Sequence, residues 1–157
     1  MKPRDPQLAL RFDAGEADNP WREGAELPYL GGRLVLSLVG AEAAAHRIGD
    51  TLALSLPPLA TPRQIQDRAE AWLRDEALRI LQQAVAQAAA SAGRRAPAVA
   101  LSFAARGDWI DARDPDCLRC NWRLVEQPLP AIEQAVARAI AGLPPEQAPL
   151  DLFGNPA

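Results

Sequence analysis

Residues 61–93, TPRQIQDRAEAWLRDEALRILQQAVAQAAASAG, decide how the rest of the chain is read. Thr61 can cap a helix, Pro62 suits the first helical position, and Gln64 stands three residues after the cap, which completes a capping box. These signals predict a helix from Pro62 to about Ser91, with Gly93 as its stop. Ile65, Ala69, Trp72, Leu73, Ala77, Ile80, Leu81, Ala84 and Ala88 recur three and four residues apart, so one stripe of this helix must pack on other elements.

Working outward, the flanking segments change period. In GGRLVLSLVG, residues 31–40, Leu34, Leu36 and Leu38 alternate with Arg33, Val35 and Ser37, and TLALSLPP, residues 51–58, repeats the pattern through Leu52, Leu54 and Leu56. Beyond the helix, AVALSF (98–103) points Val99, Leu101 and Phe103 to one side, and CLRCNWRLV (117–125) does the same with Leu118, Cys120, Trp122 and Leu124. Alternation of this kind marks half-buried strands. After Pro128 and Pro130 a short helix carries Ile132, Ala135, Val136, Ala139 and Ile140 on one face and ends at Gly142, before Pro144.

The order ββαββα predicts an α+β domain: a mainly antiparallel four-stranded sheet with one long and one short helix on one face. Trp72, Leu101, Trp122 and Ile140 are expected to share its core. Residues 1–26 are polar, mixed in sign and interrupted by prolines, and read as a flexible N-terminal arm. Residues 27–143 form the domain, and residues 144–157 a C-terminal tail.

Composition narrows the classes. The net charge of −3 lacks the basic excess of nucleic-acid binders, so no nucleic-acid partner is expected. No window approaches the roughly 18 apolar residues of a membrane span. Two cysteines are too few for a disulfide framework, and a cytoplasmic protein with reduced thiols is the expectation.

Four stretches, EGAELPYLGGRLVLSL (23–38), LPPLATPRQIQDRAEAWLRDEALRIL (56–81), ALSFAARGDWI (100–110) and CNWRLVEQPLPAIEQAVARAIAGL (120–143), resemble in that order the YgjP-like metallopeptidases, small zincins related to the SprT type. The resemblance implies a zincin-like fold and, for the family, a zinc ion held by an H-E-x-x-H helix. Histidines four apart lie on one helical face and chelate the metal, while the glutamate acts as general base. Aligned on VARAIAGL (136–143), the first histidine corresponds to Arg138, the glutamate to Ala139 and the second histidine to Gly142. The single histidine of the chain, His46, falls in a loop between two strands, and RGDWIDA (106–112) keeps only the tryptophan of the family's RWGSC stretch. The resemblance therefore supports the fold and argues against the activity: a catalytically inactive metallopeptidase-like domain, without zinc, that serves as a peptide- or protein-binding or remnant module.

Other constellations are weaker. Cys117, Cys120 and His46 could contribute to a metal site, yet residues three apart on a strand face opposite sides. A metal-dependent hydrolase using a site not recognised in the sequence is one alternative. Asp108, Asp111, Asp114 and Asp116 crowd one loop without the spacing of a calcium-binding loop, and read as a solvated hairpin tip. Trp109, beside that loop, could face a partner. Arg138 could pair with Glu133 or a loop aspartate, or remain solvated. PLDLF, residues 149–153, resembles the peptide by which bacterial proteins bind the sliding clamp, with proline in place of glutamine. The competing reading has Leu150, Leu152 and Phe153 folded back on their own domain.

Overall fold

Helix α1 spans Pro62–Ser91, as its end signals predict. The Thr61 backbone N–H donates to Gln64 Oε1 at 2.8 Å and the Gln64 N–H to Thr61 Oγ1 at 3.2 Å, so the capping box closes in both directions. At the other end Gly93 takes φ +68°, and the N–H groups of Gly93 and Arg94 return to the carbonyls of Ala90 and Ala89. This is the paired hydrogen bonding of a Schellman stop.

The computed structural model describes residues 21–40 and 44–145. The chain divides into two compact units, Met1–Trp72 and Leu73–Ala157, with α1 passing from the first into the second. The class is α+β, as the patterning predicts. Among the described residues no helix is long and apolar enough to cross a membrane.

In the first unit β1 (Glu26–Tyr29), β2 (Gly32–Leu38), β3 (His46–Ile48) and β4 (Thr51–Leu54) form a sheet in the order β1-β2-β4-β3. β2 and β4 run parallel, whereas β1–β2 and β3–β4 are antiparallel hairpins. Leu34, Leu36, Leu52, Leu54 and Leu56 are buried as their alternation requires, Leu38 is only half-buried, and Ala53 and Ser55 are buried too. Ile65 and Ala69 of α1 are buried, Arg68 Nη1 donates to the Ser55 carbonyl at 3.2 Å, and the rings of Tyr29 and Trp72 lie 5.8 Å apart. Glu26 is the first residue of β1, and the two residues before it hydrogen-bond to β2. Gly24 N–H donates to the Leu36 carbonyl, Leu36 N–H to the Ala25 carbonyl, and Glu26 pairs with Val35. Residues 1–20 lie outside the described residues.

In the second unit β5 (Ala98–Ser102), β6 (Ile110–Asp111) and β7 (Cys117–Asn121) form a sheet in the order β5-β7-β6, with β5 parallel and β6 antiparallel to β7. A five-residue 3-10 helix, Trp122–Glu126, then leads to α2 (Leu129–Ala141). Leu73, Ala77, Ile80, Leu81, Ala84, Val85 and Ala89 of α1 are buried here, as are Leu118, Cys120, Trp122, Leu124, Ile132, Val136 and Ile140.

Three expectations are corrected. The single, mainly antiparallel four-stranded sheet is instead two mixed sheets, of four and three strands. The loop after β5 holds β6, which takes one edge of β7 and leaves β5 the other, in parallel. The strand expected through residue 125 ends at Asn121, because the Asn121 side-chain oxygen accepts the Arg123 N–H at 2.9 Å and caps the 3-10 turn. Of the four residues expected in one core, Trp122 and Ile140 are buried in the second unit. Leu101 is half-buried because β5 is an edge strand, and Trp72, half-buried, pairs with Tyr29 in the first unit.

The β1–β2 turn stores strain. Leu30 has φ +49° and Gly31 φ +83°, the left-handed pair of a two-residue hairpin turn, and a leucine there crowds its Cβ against the following carbonyl. Leu30→Asn is expected to stabilise the protein by about 0.5–1 kcal/mol, because asparagine tolerates this conformation. Thermal unfolding checks it. A lower melting temperature would show that the half-buried Leu30 side chain contributes more by packing than its backbone costs.

Candidate functional site

The site to which the sequence points is α2, and its helical phase places the three singled-out positions. Ile132, Val136 and Ile140 face inward, which leaves Arg138 and Gly142 exposed and Ala139 half-buried. Gly142 caps the helix with ordinary right-handed geometry, its N–H donating to the Arg138 carbonyl at 3.0 Å. Residues 138 and 142, four apart, share one exposed face. That spacing suits two metal ligands, but the residue types do not fit zinc. A guanidinium stays protonated and has no lone pair to donate, a methyl group cannot take a proton, and glycine has no side chain. The ion pair considered between Arg138 and Glu133 is not formed among the described residues.

The weaker metal candidates do not gather. His46 lies on β3, not in a loop, in the first unit. It is exposed, and its Nδ1–H donates to the Ala44 carbonyl at 2.9 Å. Cys117 and Cys120 lie on β7 in the second unit, the first half-buried and the second fully buried. Burial, and secondarily the neighbouring Cys117, pushes the Cys120 thiol up to about 12. Such a thiol is a core residue, not a ready ligand. Among the described residues no three His, Cys, Asp or Glu side chains are placed to hold one metal ion.

In the acidic loop the Asp111 and Asp114 carboxylates are engaged within the loop itself. Arg113 forks onto Asp111, with Nη2 to Oδ2 at 2.6 Å and Nε to Oδ1 at 3.0 Å, and the Arg113 backbone N–H adds a third bond at 3.0 Å. Asp114 Oδ1 accepts the Asp116 N–H at 2.9 Å. The Arg113 side chain, then its backbone N–H, lowers the Asp111 carboxyl from the ordinary value to about 2. Because the folded value is depressed, whatever stability this pair contributes is present above the ordinary carboxylate range and is lost as pH falls through about 2. An NMR titration should find the Asp111 midpoint near 2, and Arg113→Ala should return it toward roughly 3.9.

What remains open is one end of the β5-β7-β6 sheet. β5 is its edge. The Ala98 N–H points to β7, donating to the Asp116 carbonyl, so parallel alternation turns the N–H and C=O of Val99 and Leu101 outward. At the end of this edge Phe103 is 58% exposed, and across the sheet Trp109 is 50% exposed. Both flank Asn121, whose Nδ2 donates to the Ala104 carbonyl and whose N–H donates to the Trp109 carbonyl. The Arg74 guanidinium lies 5.0 Å from the Phe103 ring and 5.7 Å from the Trp122 ring, and Arg123 stacks on Trp122 at 5.0 Å. Trp109 was singled out by the sequence; Phe103 was expected inward. Its exposure follows from its place one residue beyond the end of β5. Leu150, Leu152 and Phe153 lie outside the described residues.

The family model described as YgjP-like, metallopeptidase domain, matches residues 7–137. The match begins before the first resembling stretch and ends one residue before Arg138. No curated protein and no solved structure matches the chain.

Proposed function

Because the chain belongs to the YgjP-like metallopeptidase domain family, we propose that it keeps the frame of that family without its zinc chemistry and holds an extended peptide along the open edge of β5. Two arguments favour this reading. The residues at 138, 139 and 142 supply neither ligand nor base, so hydrolysis at α2 has no donor set. Strand addition, by contrast, needs only main-chain donors and acceptors, which an edge strand provides whatever has happened to a metal.

The observation that carries the reading is the outward alternation of Val99 and Leu101 beside two exposed aromatic rings. An aromatic or β-branched peptide side chain could pack on Phe103 or Trp109. The test is a backbone amide NMR titration with a library of unstructured decapeptides. Shifts clustered on residues 98–104 and on Trp109, with no peptide cleaved, are expected. Cleavage of any library member at a rate above the blank, or shifts confined to other elements, would contradict the reading. So would binding to the sliding clamp through residues 149–153 with the β5 edge unaffected.

A further inference from the structure

A groove of about 410 Å³ runs within the second unit between the C-terminal half of α1 and α2. Its walls are mostly small and apolar, with Ala84, Ala88, Ala137 and Ile140, while Gln87 and Glu133 add polar groups. Small side chains on two facing helices leave space rather than fill it. The volume falls in the range of clefts that seat ligands.

We propose that the occupant is residues 150–153 of the same chain, Leu-Asp-Leu-Phe. Three observations converge. First, the chain leaves α2 beside the groove: Leu143 is buried, and the Pro144 carbonyl accepts Arg94 Nη1 at 2.9 Å, only two residues from Ala92 on the groove wall. Second, the five steps from Pro145 to Leu150 reach up to about 17 Å, so the apolar residues are delivered to the groove at high effective concentration. Third, Arg94 Nε is buried with no hydrogen-bond partner among the described residues, at the point where the chain departs. A buried donor left unmet is costly, and Asp151, which on an extended segment faces away from Leu150 and Leu152, supplies a carboxylate for it. The groove wants apolar side chains, the guanidinium wants an acceptor, and the segment carries both in alternation. This inference concerns α1 and α2, and it stands or falls separately from peptide binding at β5.

The test is a thermal unfolding cycle on the full chain, a variant lacking residues 149–157, Ala137→Glu, and the two changes combined. Ala137 is exposed, so Ala137→Glu is tolerated on α2 while placing a charge on the groove wall. The like-charge pair it makes with Glu133, four residues away, carries a small cost that is the same with or without the tail. The deletion and Ala137→Glu are each expected to lower the melting temperature by about 3 °C. The combined variant should fall little further than the deletion alone, because both changes remove the same contact. An unchanged melting temperature on deletion, or fully additive losses, would overturn the proposal. A concentration-dependent melting temperature with a dimer in sedimentation would also overturn it, by showing that a second copy fills the groove.

Discussion

Leu118→Ala is expected to lower the unfolding free energy by about 3–4 kcal/mol, a large share of the roughly 5–15 kcal/mol that holds a domain together. Leu118 is fully buried on β7, the middle strand of the second sheet, and pairs with Val99. Strands stand on both sides of it, so the surroundings cannot collapse into the space that a shortened side chain leaves, and a cavity term adds to the lost transfer energy. Leu101, on the edge strand and half-buried, is the internal contrast, with about 1 kcal/mol expected for Leu101→Ala. Urea unfolding followed at unchanged slope measures both. Equal losses at the two positions would show that β5 is covered and is not an edge.

Leu101→Pro should weaken capture of an extended peptide at least tenfold while the fold survives. Proline is tolerated on an edge strand where the missing N–H would have faced outward, and alternation from Ala98 gives Leu101 that orientation. The substitution removes one main-chain donor to the peptide and sets a ring where the added strand would lie. Ala100→Pro is the control: its N–H faces β7, so it should lower stability while leaving the outward N–H of Leu101 to a peptide. Titration of the strongest library peptide against both variants decides the matter. Unchanged affinity in Leu101→Pro would remove the β5 edge from the account.

Much of this architecture was legible because local signals agreed with one another. The capping box at Thr61 and Gln64 and the glycine stop at Gly93 fixed α1 at both ends, and the leucine alternation fixed the phases of β2 and β4. The missed strands are short. β1 has four residues, β3 three and β6 two, too few for a period to declare itself. A turn signal was nevertheless present: Gly49-Asp50 joins Ile48 to Thr51 as a two-residue hairpin, with Gly49 at φ +57°. Parallel pairing could not be read at all, since alternation is the same whichever way a neighbour runs. At the site, the spacing of residues 138 and 142 was legible as one helix face. The exposed end formed by Phe103, Trp109 and Asn121 was not, because it depends on which strand lies at the edge.

The central claim is that α2 no longer supports metal chemistry, and the zinc content of the purified full chain tests it most directly. After exposure to zinc and removal of loosely held ion, elemental analysis should find far less than one zinc per chain, because Arg138, Ala139 and Gly142 offer no donor. About one tightly held zinc per chain, lost on replacing His46 or Cys117, would contradict the account and reveal a ligand set assembled elsewhere.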